Sequence, residues 1–421
     1  MATVLPWGES LTVLMELGFP VDPFTLDSAT LGLLNQNLLD GDSSGDDVSD
    51  VTQQVTINRG RQDQLANFSA GNCSITLLNN DRRFDPTNQS SPYYDITLGQ
   101  SGVTPRRKVT VKFGAETVFV GRITDIDLSY STGQSTDIST VVINVADDFV
   151  LLANASTTAD VTPPVELSGT RLTALLALPE INFTGATAID AGTAVLGAYQ
   201  IAANTNALTY AQAITTAEQG LLFIARDGAL TFTDRTSAGF AASVASFSDD
   251  AGAGIKYQEL SVMFGQEFLY NKVSATRETG TPQVADDATS QTAYGISTLN
   301  LSNLLVSDDT AAQTLADDLL ALYKEPLFRF EGMTIPISAL SAPDRLTCSQ
   351  LELGDTLTIE RNYQTGSPLS VSKFQTVERL RHTVTPNSHR LEVALSDAYI
   401  LNVFLLDDTT FGVMDTDNAL Q

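Results

Sequence analysis

Apolar and polar residues alternate at period two along much of the chain, and that pattern predicts strands. Thr12-Val13-Leu14-Met15-Glu16-Leu17 reads as a first strand, ended by Pro20 and Pro23. From Val51 to Val150 the alternation is sustained: Val55 and Ile57, then Cys73, Ile75 and Leu77, then Val109, Val111 and Phe113. The run Val118, Val120, Ile123, Ile126, Leu128 follows a hairpin-like break at Gly114, and Gly121 interrupts it as a bulge would. Val141 to Val145 adds another strand. This spacing of strands and turn signals fits a barrel or sandwich rather than βαβ units.

The period then changes. Ser168-Gly169-Thr170 offers a capping residue ahead of a helix over Arg171 to Leu178, closed by Pro179. Thr209 to Glu218 predicts a second helix, with Gly220 as its C-terminal cap. Leu221 to Ala225 and Ala229 to Phe232 flank Asp227-Gly228, a hairpin turn signal. Residues 165–240 thus read as a small α+β module between all-β regions. Residues 246–300 carry weaker strands and a flexible piece, Glu278 to Thr292. Ser307-Asp308-Asp309 caps the clearest helix, Thr310 to Tyr323, whose Leu315, Leu319 and Leu322 share a face and which Pro326 stops. Strands around Phe328, Leu357, Phe374 and Leu391 complete a second β domain with one helix against it.

Composition narrows the class. The chain has 421 residues and 45.0 kDa, enough for two to four domains with real cores. It is 43% hydrophobic, so it is not a disordered chain. No apolar run approaches the roughly 18 residues of a membrane span, and no basic segment precedes an apolar stretch at Met1-Ala2-Thr3-Val4, so neither a span nor a secretory signal is expected. The formal charge is −27, with a pI near 4.2. Such a chain should repel nucleic acid and anionic membranes rather than bind them. Charged residues are only 17%, so Thr, Ser, Asn and Gln must carry the surface.

Candidate chemistry is sparse. Cys73 and Cys348 form no CxxC and predict two buried, reduced cysteines, a single long-range bridge being the alternative. His382 and His389 are the only histidines, which disfavours a histidine-built zinc site or a Ser–His–Asp arrangement; they read as exposed residues near a hairpin. No P-loop occurs, and Gly252-Ala253-Gly254 is not a dinucleotide fingerprint. The acids supply pairs that a glycosidase needs but show no local signature of one. Asp40, Asp42, Ser44, Gly45 and Asp46 match five positions of a calcium loop, yet Val51 stands where the bidentate Glu belongs; a solvated loop is the competing reading. No cofactor is implied. Arg59, Arg61, Arg82, Arg83, Arg106, Arg107 and Lys108 gather in the first β region and are candidates for pairing with aspartates across a subunit seam, or for ordinary surface pairing. The segment from Phe24 to Asn35 resembles that from Phe404 to Asp415, which makes Phe404 and Phe411 further contact candidates, coincidence being the alternative.

Two motifs carry a family resemblance. The strand Val55-Thr56-Ile57-Asn58-Arg59-Gly60-Arg61 is followed by Leu77-Leu78-Asn79-Asn80-Asp81-Arg82-Arg83-Phe84-Asp85-Pro86. Together with Val118-Phe119-Val120-Gly121-Arg122-Ile123, the 217–228 stretch and Leu353-Gly354-Asp355-Thr356-Leu357, this resembles the minor tail, or tail-hub, proteins of long-tailed bacteriophages. The resemblance implies a mainly β fold with two tail-tube-like β-barrels and a small α+β insertion. The implied division is an N-terminal strand and acidic loop at 1–50, a first barrel at 51–160, the insertion at 161–245, a second barrel at 246–400 and a terminal segment at 401–421. It also implies a structural homotrimer at the distal tail of a virion, assembled in the host cytoplasm. Such a trimer would contact the distal tail ring, the tape measure and tip or fibre proteins, and DNA would pass through without specific binding. A secreted β-rich adhesin and a wall-degrading tail enzyme are the competing readings. The host-binding or wall-cleaving extensions of many hubs are not expected in a sequence that stops at Gln421.

Overall fold

The computed structural model describes residues 3–17, 45–130, 139–239, 242–250, 252 and 254–398. The fold is mainly β. Strand β1 (Ser10–Met15) buries Leu11, Val13 and Met15 and exposes the residues between to a greater degree. The same alternation runs through β2 (Thr52–Gly60), β3 (Ser69–Leu78), β4 (Lys108–Phe113), β5 (Glu116–Ser129) and β6 (Thr140–Ala146). These strands pair antiparallel in the order β1-β4-β5-β6-β3-β2. Slipping any of them by one residue would turn Val, Ile and Phe side chains to solvent at about 1.5–3 kcal/mol each, so burial fixes the register.

Gly121 is not itself the bulge. The register shifts fall on either side of it, where β5 holds Val118 and Thr124 as extra residues. Gly121 instead permits a close approach: a Cβ there would lie 2.5 Å from the Ala146 carbonyl oxygen.

The middle module holds α1 (Ser168–Leu176), α2 (Ala207–Glu218) and the hairpin β7 (Leu221–Ile224) and β8 (Leu230–Thr233). Two caps differ from expectation. Ser168 lies inside α1, and its hydroxyl donates to the buried Glu218 carboxylate at 2.6 Å instead of capping. At the end of α2, Gln219 rather than Gly220 takes the left-handed conformation, with φ of 58°. The start of α2 is capped by Asn206, whose side chain accepts from the Thr209 N–H.

The C-terminal half contains β9 (Ala245–Ser248), β10 (Glu259–Phe264), β11 (Lys272–Arg277), β12 (Gln283–Asp286), α3 (Ala288–Tyr294) and β13 (Thr298–Leu304). The stretch read as a flexible piece is therefore ordered into β12 and α3, because Asp287 caps the helix by accepting from the Ser290 N–H at 2.9 Å. Then come α4 (Asp309–Tyr323), β14 (Phe328–Ile335), α5 (Ala342–Gln350), β15 (Thr356–Asn362), β16 (Ser370–Thr385) and β17 (Ser388–Asp397).

The two β regions do not close separately into barrels. Strand β2 offers one edge to β3 and the other to β16, so Arg379 stands opposite Gly60 and Val384 opposite Val55. The sheet therefore runs on through β16, β17, β14 and β10 as one 14-stranded array, with β15 and β9 branching from β16. Among the described residues it does not close on itself, since β2 spends its second edge on the other half of the chain. Two apolar cores lie beneath it. One takes β1 to β6 together with Val384. The other is shared by the middle module and the C-terminal half, so no core boundary separates those two parts.

Candidate functional site

The Val-x-Ile-x-Arg-Gly-Arg strand sits where three parts of the molecule meet. Val55 and Ile57 are fully buried. Arg59 is also buried; it donates to the Ile224 carbonyl at 3.0 Å and pairs with Glu352. Glu352 in turn accepts the Arg226 N–H at 2.7 Å, and the Arg226 guanidinium pairs with Glu116 at 2.8 Å. Arg61 grips Glu378 with two nitrogens, at 2.5 and 3.1 Å, and its guanidinium lies 4.8 Å from the Phe68 ring centre. Between them, Gly60 with φ of +118° lets β2 and β16 touch. The charges of Arg59 and Arg61, expected at a seam between subunits, are thus spent on ties within one chain. Removing one member of such a buried pair typically costs about 3–5 kcal/mol, because the other charge is left without a partner.

The second motif builds a turn. The Asn79 side chain accepts the Phe84 N–H at 3.1 Å, and Phe84 is fully buried against Tyr93. Arg82, with φ of 58°, pairs with Asp85, while Arg83 pairs with Asp81 at 2.7 Å. Burial works to raise the Asp85 pKa, but hydrogen bonds from Thr87, Tyr130 and Arg82 outweigh it and hold the carboxyl well below the usual range. Arg106 and Lys108 are exposed and Arg107 half-buried, at the turn that leads into β4. Both motifs therefore serve the fold first.

Other candidates fare differently. Cys73 and Cys348 are buried free thiols. His382 and His389 are not exposed. They occupy core-facing positions of the β16–β17 hairpin, with Nδ1 of His382 3.0 Å from Nε2 of His389, against Phe113 and Trp7. Burial, and then the nearby Arg59 charge, push His382 down to about 3; burial, and then His382, lower His389 as well. Both rings are neutral packing elements. Asp46 lies in a two-residue strand paired with Met15, and burial raises its pKa. Asp40, Asp42 and Ser44 lie outside the described residues, as do Phe404, Phe411 and both halves of the terminal echo. Among the described residues no group of three or more His, Cys, Asp or Glu side chains could hold a metal ion, and no helix is long and apolar enough to cross a membrane.

What sequence reasoning missed is a sheet edge. Strand β10 pairs only with β14 among the described residues, and its other edge faces outward. It is rich in exposed apolar side chains: Val262, Met263 and Phe264, the last 68% exposed, with Leu327 and Phe328 beside them. Soluble proteins normally blunt or cover such edges, and an uncovered apolar edge marks an assembly surface. Its only signal in the sequence is the run Leu260 to Phe264, which lacks clean alternation.

Solved structures share this arrangement. The tail protein from Neisseria meningitidis MC58 superposes with a TM-score of 0.59 at 12% identity, over 93% of this chain and 98% of that one. This chain has the fold of a phage-type tail protein. The 43 kDa tail protein of prophage MuSo2 from Shewanella oneidensis gives 0.54 at 11% identity, over 92% and 98%. At these identities the likeness is one of fold. No family model matches the chain, and no curated protein matches it by sequence.

Proposed function

We propose that this chain is a structural hub protein of a phage tail, which assembles as a homotrimer at the distal end and performs no chemistry of its own. The observation that carries the reading is the full-length likeness in fold to two tail proteins. The open apolar edge of β10 supports self-association, since ring closure gives every sheet edge a partner. Arg82, Arg83, Arg106, Arg107 and Lys108 remain candidates for contacts between subunits. The formal charge of −27 per chain supports a wall that repels phosphate, along which DNA slides without sticking. In this role the ring joins the tail tube and distal tail ring to tip or fibre proteins and continues the DNA channel.

Mass photometry of the purified chain tests the trimer. The expected result is a particle of three 45.0 kDa chains that Phe264→Asp reduces to the single-chain mass. A wild-type chain that stays monomeric at micromolar concentration overturns the trimer. A tail-tip reconstruction without this fold around the axis overturns the hub.

A further inference from the structure

The pairing of β16 with β2 has two ends of different chemistry. At the Gly60 end it is flanked by charge, with Arg61 on Glu378 and Arg59 on Glu352. At the Val55 end it is held by Val384 and two imidazoles. His382 stands opposite Ile57, and His389 stands opposite Val384 in the β16–β17 hairpin. The His389 ring centre lies 4.4 Å from that of Phe113 and 5.7 Å from that of Trp7.

This pocket has no place for an added proton. Nδ1 of His389 and Nε1 of Trp7 are both buried without a hydrogen-bond partner among the described residues. In the tautomer that avoids a further orphaned donor, His389 Nε2 donates to His382 Nδ1 and its own Nδ1 stays bare. A proton on that bare nitrogen makes a second N–H beside the indole with nothing to accept it. A proton on His382 Nδ1 instead sets two N–H groups against each other across 3.0 Å. The charges that act on the pair are Arg59 and each ring on the other, all positive. The remaining titratable groups around the pocket bring no counter-charge. Burial pushes the Cys73 thiol of β3 up. Arg345 of α5, 6.0 Å from the Trp7 ring centre, is paired with Glu9 at 3.2 Å. Arg381 and Arg390 alternate with the histidines, face away from the core and pair with Glu392, and Lys112 of β4 alternates in the same way with Phe113.

We propose that the tip of the β16–β17 hairpin is an acid-released latch: when His382 and His389 take up protons, the tip leaves the first core and β16 unzips from β2 starting at Val384, while the Gly60 end stays closed. Once released, the rings titrate near their ordinary value of 6.5. Each histidine then raises the open fraction by up to about tenfold for every pH unit below that.

Hydrogen exchange of the full-length chain, corrected for the intrinsic rate, tests the latch from pH 7.5 to 4.5, with Trp7, the single tryptophan, as an optical reporter. Between pH 6.5 and 5.5, opening over residues 380–391 and 52–57 should rise by about thirtyfold, or about fivefold if one histidine acts alone. Tryptophan emission should change with it, while residues 207–218 and 309–323 stay protected. His389→Gln should cut the rise to about fivefold, and His382→Phe with His389→Phe should abolish it. Opening at 380–391 that is independent of pH overturns the proposal. So does simultaneous opening of all four segments, or a full rise that persists in His389→Gln.

Discussion

Gly60 and Asp147 show how much single residues decide here. A Cβ at Gly60 would lie 2.2 Å from the Glu378 carbonyl oxygen and 2.6 Å from the Arg379 Cα, both backbone atoms that cannot step aside. Gly60→Ala should therefore lower stability by at least about 2 kcal/mol, read as a shift in the urea midpoint, while an alanine at exposed Gly99 should do far less. Asp147 is buried and accepts N–H bonds from Gly71 at 2.6 Å and Phe149 at 3.0 Å. Burial pushes its pKa up to about 7, against the opposing pull of those bonds and of Arg59. The unfolded carboxyl titrates near 3.8, so below that pH both states hold the proton and Asp147 favours the fold fully. As pH rises from 4 to 7 the unfolded state ionises first, and that contribution is lost. His382, lowered to about 3, works the other way: its contribution disappears as pH falls below about 6.5. Urea midpoints from pH 4 to 8 should therefore show a steeper acid loss in Asp147→Asn than in the parent chain. Parallel curves would refute this assignment of the proton. Neither effect was legible beforehand, because burial of a given Gly or Asp depends on which strand arrives opposite it.

At the scale of elements, local rules worked where local energies dominate. Helix α4 begins where the Asp308 carboxylate accepts the Ala311 N–H at 2.9 Å, as the Ser-Asp-Asp signal predicted. Asp308→Ala should cost about 0.5–2 kcal/mol, measured by chemical denaturation, with Asp308→Asn nearly neutral. The β7–β8 hairpin and most strands of the first half also follow their sequence patterns. The failures have a common cause. Ser168 abandoned its cap because the buried Glu218 needed a donor. The histidines were read by their polarity, although Leu380, His382 and Val384 alternate with less buried neighbours, as do His389, Leu391 and Val393. Period two was the better guide than residue type: a neutral imidazole packs well when a second ring shares its hydrogen bond.

At the scale of the molecule, the two halves are welded rather than hinged. Backbone pairing of β2 with β16 continues the sheet between them, and the Arg59–Glu352 and Arg61–Glu378 pairs flank the crossing. The crossing explains why the arginine-rich motif looked like an intermolecular surface: sequence shows clustered positive charge but not the acids, roughly 300 residues away, that meet it. At β10, by contrast, apolar side chains remain outside.

Most strands of the first half, the β7–β8 hairpin, helix α4 with its cap at Asp308 and the acidic character follow from short-range pattern and composition, because backbone propensity and alternation are local properties. The tertiary structure decided the joining of the two β regions into one sheet, the partners of Arg59 and Arg61, the burial of both histidines and the exposed edge at β10. Each of these depends on contacts between residues far apart in sequence, and the free energy of such a contact exists only once the chain has brought its two sides together.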